Sequence, residues 1–168
     1  MEQARPAAPA DVEAMARLVR EGVAELSVLR GGAVWELQAA RREPVEDGLR
    51  ADIARSPDLG ATVVGTVAGS VVGYGCSQVE VLADGSRLAV VRDLYVHPEA
   101  RGVGVGEAMM DLLVAHAEGV GAIGIDALAL PGDRQTKNFF ETFGLKARAI
   151  VVHRPLGSTE GDGPGDGA

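Results

Sequence analysis

The spacing of apolar residues predicts that the first third of the chain is mainly helical. A short stretch from 3 to 7 is consistent with a first strand, and the apolar residues after it recur every three or four positions, as in a helix with one face on a core. This stripe consists of Val12, Met15, Val19, Val23 and Leu26. A second helical stretch follows Gly31-Gly32 in two pieces on either side of Pro44.

The middle of the chain changes to the alternating pattern of β-strands. The segments with this pattern are 61–67, 70–82 and 90–96. Asp84-Gly85 is the strongest hairpin signal in the sequence. A turn at these two residues pairs Asp93 with Cys76. It also pairs Tyr95 with Tyr74.

This register predicts two chemically different faces of the hairpin. The polar face carries Tyr74, Cys76, Gln78, Glu80, Asp93 and Tyr95. The opposite face carries Leu88, Val90, Leu94 and Val96 and is mostly apolar. Because side chains alternate along a strand, we expect helices on the apolar face and a functional site on the polar one.

A glycine-rich break follows the strand that ends at Val96. Pro98 cannot donate to a strand ladder, so pairing should stop before it. Three glycines then alternate with other residues at Gly102, Gly104 and Gly106 and lead into a helix. Backbone N–H groups without nearby Cβ atoms, at the positive end of a helix dipole, suit a phosphate. The spacing matches neither the dinucleotide-binding fingerprint nor the P-loop.

The remaining segments complete the pattern of one domain, 1–156. Gly119 ends the helix, and 122–130 is a further strand, so the two strands and the helix between them form a right-handed crossover. Asp133 is expected to cap a short helix, and 146–154 is expected to be the last strand or strand pair. The glycine-rich and acidic tail, 157–168, is expected to be disordered because it has no apolar anchor.

Two segments resemble the GNAT N-acetyltransferases. The run from Asp93 to Gly106 (Asp-Leu-Tyr-Val-His-Pro-Glu-Ala-Arg-Gly-Val-Gly-Val-Gly) resembles motif A of the family, whose signature is Arg/Gln-x-x-Gly-x-Gly/Ala after a strand. The run from Phe139 to Leu145 is similar to the later aromatic helix of the family. The resemblance implies the GNAT α/β (α+β) fold, a mixed and mostly antiparallel sheet of about six or seven strands flanked by about four helices, with splayed parallel central strands. Members of the family often carry a bulge in the strand that ends at Val96, and one bulge would reverse the predicted faces beyond it.

The resemblance implies acetyl-CoA as the co-substrate and a primary amine as the acceptor. The coenzyme pyrophosphate is expected on the amides of 101–107, the pantetheine arm on the backbone of 94–96, and the thioester oxygen near the Val96 amide. The implied binding residues are Leu94, Tyr95, Val96, Arg101, Gly102, Val103, Gly104, Val105, Gly106, Glu107, Asn138 and Phe140. Phe140 stands where relatives commonly have a tyrosine that protonates the departing thiolate. Tyr74, Tyr95 or water is left as the donor, unless the thiolate leaves unprotonated.

Acetyl transfer to an amine also needs a base, since an alkyl ammonium has a pKa of about 10.4 in water. Asp93 is the first candidate because it adjoins the cofactor strand. Its ordinary pKa of about 3.9 is too low for the task unless burial raises it. Glu80 is the second candidate. A structural carboxylate at Asp93 and a solvated hairpin residue at Glu80 are the alternatives.

Composition narrows the choice of partners. The chain has 168 residues, a net charge of −8 and a single cysteine, Cys76. The negative charge argues against a nucleic-acid partner. The absence of a long apolar run argues against a membrane and for a cytoplasmic protein. The histidines are not at metal-ligand spacing, so no metal site is expected.

The resemblance leaves three points open. The segment 31–55 is expected to help wall the acceptor site, and Trp35 is either part of that wall or a core anchor. Dimerisation is common in the family, so a homodimer is one expectation. A non-catalytic acyl-CoA-binding or regulatory module and a nucleotide-binding protein are the alternatives to an enzyme.

Overall fold

A single mixed sheet with helices on both faces forms the molecule. The computed structural model describes residues 2–157. The strands of these residues are β1 (Glu2–Pro6), β2 (Gly60–Val67), β3 (Ser70–Val81), β4 (Arg87–Val96) and β5 (Ala122–Ala127). The helices are α1 (Val12–Ser27), α2 (Gly32–Gln38), α3 (Val45–Ile53), α4 (Val105–Gly119) and α5 (Arg134–Thr142).

The sheet has the order β1-β2-β3-β4-β5, antiparallel throughout except for the parallel pair β4 and β5. This is the expected mixed architecture, with five strands in residues 2–157 instead of six or seven. Within the same residues, no helix is both long enough and apolar enough to cross a membrane.

Two hydrophobic clusters hold the helices on opposite faces of the sheet. Val64 lies in the cluster of α1 and α3, whereas its neighbour Val63 lies in the cluster of α4. Since adjacent strand residues point to opposite faces, the two clusters form separate cores above and below the sheet. Each face of β2 is therefore fully covered.

The β3–β4 hairpin confirms the predicted pairs between its polar residues. Cys76 lies opposite Asp93, and Tyr74 lies opposite Tyr95. The helix after the glycine loop and the cap at Asp133 also form as predicted.

Near its turn the hairpin pairs one residue out of the predicted register. Glu80 lies opposite Leu88 and Gln78 opposite Val90, and a bulge at Arg92 restores the predicted register beyond it. Residues directly opposite share a face, so the assignment of Leu88 and Val90 to the apolar face is wrong. The reason is the bulge, which reverses the alternation of side chains within β4.

The two parallel strands separate after a short pairing, as expected. Their register runs from Arg87 opposite Ala122 to Val91 opposite Ala127, where it ends. Beyond this point, residues 92–96 of β4 have no partner strand on that side in the described structure.

The predicted last strand over 146–154 is wrong. The segment has no regular structure, and Ile150, Val151 and Val152 are 82%, 89% and 88% exposed. Its β-branched residues favour a strand only where they gain ladder and packing partners. In the described residues this segment forms no ladder, and it meets the edge strand β5 through the ion pair of Arg148 with Asp126. The predicted disordered tail, 157–168, lies outside the described residues except for 157 itself.

The close packing of α4 on β2 requires a glycine in the sheet. A Cβ atom at Gly65 would lie 2.3 Å from Cγ1 of Val105 and 3.1 Å from Sδ of Met109. Both neighbours are fully buried. They have no space into which to move.

We expect Gly65→Ala to lower the free energy of unfolding by about 1–3 kcal/mol, because the added methyl group overpacks this contact. Gly119→Ala is the control, since a Cβ there meets nothing within 4 Å at the end of α4. Urea denaturation of both variants checks the prediction. A Gly65 variant as stable as the Gly119 variant would contradict it.

Candidate active site

A cavity of about 900 Å³ lies where β4 and β5 separate. The end of β4 lines one side of it and residues 128–130, just after β5, line another. Helices α1, α2, α3 and α5 and the glycine loop supply the remaining walls. The separation of two parallel strands thus turns a sheet edge into a pocket.

The glycine loop forms the predicted turn into α4. Gly102 and Gly104 have φ angles of +81° and +91°, in the left-handed region that side chains disfavour. Gly104 is the N-cap of α4, and Gly106 in its first turn lies against Phe139, whose Cε2 would be 3.3 Å from an added Cβ. The first N–H groups of the helix have no intrahelical partners. The loop therefore has the backbone geometry expected of an anion site.

Not every residue of this loop faces the cavity. Arg101, Gly102, Gly106 and Glu107 line it. The other three residues do not, and of these Val103 is 46% exposed and Val105 is buried in the core, while the third is Gly104. Glu107 lies in the first turn of α4 and brings a carboxylate to this end.

Arg101 is engaged by neighbouring groups at the open edge of β4. Its Nε donates to the carbonyl of Val96 at 2.9 Å, and its terminal nitrogens pair with Glu25 at 2.9 Å. The guanidinium also lies over the ring of Tyr95, 5.4 Å from its centroid. The arginine thus donates to a backbone carbonyl that accepts no hydrogen bond from a neighbouring strand within the described residues.

Tyr95 is a protonated donor in this cluster. Its hydroxyl donates to Glu25 at 3.0 Å. Burial, with the Glu25 carboxylate adding to it, raises the pKa of Tyr95 to about 12. Hydrogen bonding to Arg101 lowers the pKa of Glu25, so the pair is a neutral phenol next to a carboxylate at neutral pH.

Asp93 belongs to a chain of alternating charges in the wall of the cavity. Arg41 donates to Oδ2 of Asp93 through Nε at 2.9 Å, and one of its terminal nitrogens lies 2.7 Å from the same oxygen. That nitrogen also contacts Asp52 at 2.6 Å, and Asp52 pairs in turn with Arg55 at 2.7 Å. The side chains of Arg41, Asp52 and Asp93 are only 13%, 8% and 16% exposed.

The second oxygen of Asp93 is available to a ligand. Oδ1 has no hydrogen-bond partner among the described residues, and Asp93 lines the cavity. Burial raises the pKa of Asp93 above its ordinary value, although the guanidinium of Arg41 opposes the shift. A buried carboxylate with one free oxygen and a raised pKa has the properties of a general base.

Tyr74 and Cys76 lie beside this charged chain on β3. Tyr74 lines the cavity, and burial raises its pKa well above the ordinary value. The Cys76 thiol lies 3.5 Å from Oδ2 of Asp52, and burial raises the pKa of Cys76 to about 12. Both groups are therefore protonated at neutral pH.

The other predicted site residues are placed less favourably, with one exception. Glu80 pairs with Arg92 at 2.7 Å, is half exposed and does not line the cavity. Asn138 is exposed on α5 and does not line it either. Phe140 does line the cavity and is 6% exposed.

Sequence reasoning missed Glu25, Arg41, Asp52 and Arg55. Asp52 lies three residues after Leu49, so it shares the buried face of α3, and this position was a usable signal. The sequence contains no such signal for Glu25 or Arg41, because their hydrogen-bond partners are distant in the chain. In residues 2–157, no group of three or more histidine, cysteine or acidic side chains is arranged to hold a metal ion.

Comparison with known proteins assigns a family to this architecture. A model of the acetyltransferase (GNAT) family matches residues 32–145, which is more than half of the 168-residue chain. A search of curated proteins finds no match.

Solved structures with the same fold span the whole domain at low identity. A transcriptional regulator from Bacillus halodurans C-125 has 18% identity and a TM-score of 0.68, with 93% of this chain and 100% of that chain covered. A ribosomal-protein-alanine N-acetyltransferase from Brucella melitensis biovar Abortus 2308 has 18% identity and a TM-score of 0.67, with coverage of 94% and 100%. A glucosamine-6-phosphate N-acetyltransferase from Arabidopsis thaliana has 17% identity and a TM-score of 0.62, with coverage of 94% and 99%.

The thiol of Cys76 tests whether the region beneath the cavity is closed to solvent. With a pKa of about 12, we expect native Cys76 to react with a disulfide reagent at pH 8 at least on the order of a hundredfold more slowly than in urea. The unfolded chain is the control, since it holds the same single thiol. Equal labelling rates in the two states would contradict the buried site.

Proposed function

This chain belongs to the acetyltransferase (GNAT) family, and we propose that it transfers the acetyl group of acetyl-CoA to a primary amine. The observation that carries the proposal is the cavity between β4 and β5, which has a glycine-rich helix N-terminus at one end and a free oxygen of Asp93 in its wall. One end suits an anionic coenzyme and the other suits a protonated amine.

The glycine loop and the open edge of β4 are the proposed coenzyme site. The first turn of α4, from Val105 to Glu107, offers N–H groups to the pyrophosphate. Residues 94–96 pair with β3 on one side, and the other side of this segment, which has no partner strand in the described residues, is offered to the pantetheine arm; there the carbonyl of Val96 accepts a hydrogen bond from Arg101. A Cβ at Gly102 or Gly104 would enter open space, so the loop leaves room for a ligand there.

Asp93 is the proposed general base. The amine nitrogen attacks the thioester carbon as a neutral group, so a new N–C bond forms while the C–S bond breaks. Asp93 takes the first proton of the ammonium group, directly or through a water molecule, and passes it to solvent. The nitrogen loses its second proton to solvent as the C–S bond breaks, and this proton balances the one that the thiolate gains.

The leaving thiolate has no tyrosine at the α5 position, because Phe140 is there. Tyr95 lines the cavity and keeps its proton, with a pKa of about 12. We therefore assign protonation of the thiolate to Tyr95 or to water. The acceptor is proposed to enter against α2 and α3, where Trp35 and Gln38 line the cavity.

Asp93→Asn and Glu80→Gln distinguish the two candidate bases in a thiol-release assay with acetyl-CoA and a panel of primary amines. We expect Asp93→Asn to lower kcat by about 10²–10⁴-fold, the usual contribution of a general base. Glu80→Gln, which changes an exposed ion pair with Arg92, is expected to leave kcat within about twofold. A large loss of kcat in Glu80→Gln with little change in Asp93→Asn would instead identify Glu80 as the base. Coenzyme binding without thiol release for any amine would support a non-catalytic acyl-CoA-binding module instead.

Gly104→Val and Gly85→Val test the coenzyme site by calorimetric titration with CoA. Both glycines have left-handed φ angles, +91° and +84°, and open space around an added Cβ, so both variants carry the same kind of backbone strain. Only Gly104 belongs to the α4 N-terminus, so we expect its variant alone to lose affinity, by on the order of tenfold or more. Equal CoA affinity in the two variants would overturn the assignment. A preference of the wild-type protein for ATP or NAD over CoA would do so too.

A further inference from the structure

The charged chain in the wall of the cavity joins three separate parts of the fold. Asp93 is on β4, Arg41 is in the connection between α2 and α3, and Asp52 is on α3. Arg55 follows α3 and closes the chain on the second oxygen of Asp52. Charges of alternating sign this deep in a protein are stable only when each has its partner.

Arg41 makes two contacts with the carboxylate of Asp93 and one with that of Asp52. Both of its contacts with Asp93 use Oδ2. Its contact with Asp52 uses a terminal nitrogen, and that aspartate is held from its other side by Arg55. The arrangement fixes the plane of the Asp93 carboxylate while leaving Oδ1 without a protein partner.

We propose that Arg41 is a positioning residue, which holds Asp93 by one oxygen so that the other faces the substrate cavity, and that Asp52 shares the guanidinium of Arg41 with Asp93. This inference rests on the proposed role of Asp93 as the base. It goes beyond that role because residues of the α2–α3 region, Arg41 and Asp52, would then set the pKa of Asp93 on β4.

The electrostatic consequence has a definite sign for each partner. The positive charge of Arg41 stabilises the ionised form of Asp93, so removing it raises the pKa of Asp93. The negative charge of Asp52 acts in the opposite direction, so removing it lowers that pKa. The other groups facing Asp93 are Arg92 on its own strand and the protonated Tyr74 and Cys76 on β3. None of these three groups is altered by a substitution at Arg41 or at Asp52.

The test is a carboxyl ¹³C NMR titration of the full chain, with the Asp93 signal assigned by its loss in Asp93→Asn. We expect Arg41→Gln to raise the pKa of Asp93 by about one unit or more, and Arg41→Lys to raise it by less. We expect Asp52→Asn to lower it. The acid limb of the kcat profile against pH should move in the same directions with any amine that is acetylated, since only ionised Asp93 accepts the proton.

Arg20→Gln is the matched control, because Arg20 likewise pairs with two carboxylates, Glu43 and Glu46, but on the exposed surface away from the cavity. It should leave the pKa of Asp93 unchanged. General loosening of the fold would not shift the pKa in opposite directions in the Arg41 and Asp52 variants. If Arg41→Gln fails to fold, Arg41→Lys and Asp52→Asn still give the two signs.

An unshifted Asp93 pKa in these variants would overturn the inference and leave the proposed function standing. If the pKa of Asp93 shifts in the expected directions but the protein acetylates no amine, the electrostatic coupling is supported and the role of Asp93 in catalysis is overturned. The NMR readout needs no acceptor, so the two failures are distinguishable.

Discussion

The separation of β4 from β5 is the constraint on which the rest of the site depends. Parallel pairing ends at Val91 and Ala127, and a strand edge left inside a protein must satisfy its backbone polar groups in some other way. Here Arg101 donates to the carbonyl of Val96 from outside the sheet. A ligand with amide groups of its own is the natural partner for such an edge, and the glycine loop at its end adds donors for an anion.

The bulge at Arg92 determines on which face of the sheet each side chain of β4 lies. In a regular strand Val91 and Asp93 would point the same way. With the extra residue between them, Val91 joins the core under α4, whereas Asp93 and Tyr95 lie on the opposite face of the sheet, beside Cys76 and Tyr74. A single inserted residue thus separates the part of β4 that stabilises the fold from the part that carries polar chemistry.

This arrangement buries charged side chains, which is unfavourable unless they are paired. The fold tolerates them because positive and negative side chains alternate along the chain of contacts. Asp93, Arg41, Asp52 and Arg55 form a chain in which every carboxylate contacts a guanidinium. Leaving one member of a buried pair alone typically costs about 3–5 kcal/mol. The same contacts tie the helical region before β2 to β4, so the wall of the cavity and the candidate base are held in one network.

The sequence by itself determined the features that depend on local order: the helices, the hairpin with its polar pairs, the glycine turn into α4 and the family resemblance. Periodicity, turn residues and a contiguous motif encode all of these. Tertiary structure alone decided the bulge at Arg92, the absence of a strand over 146–154 and the partners of Asp93 and Arg101. Each of these depends on which groups meet across the fold: Asp93 lies 52 residues from Arg41 in the chain, and no local pattern records a contact over that separation.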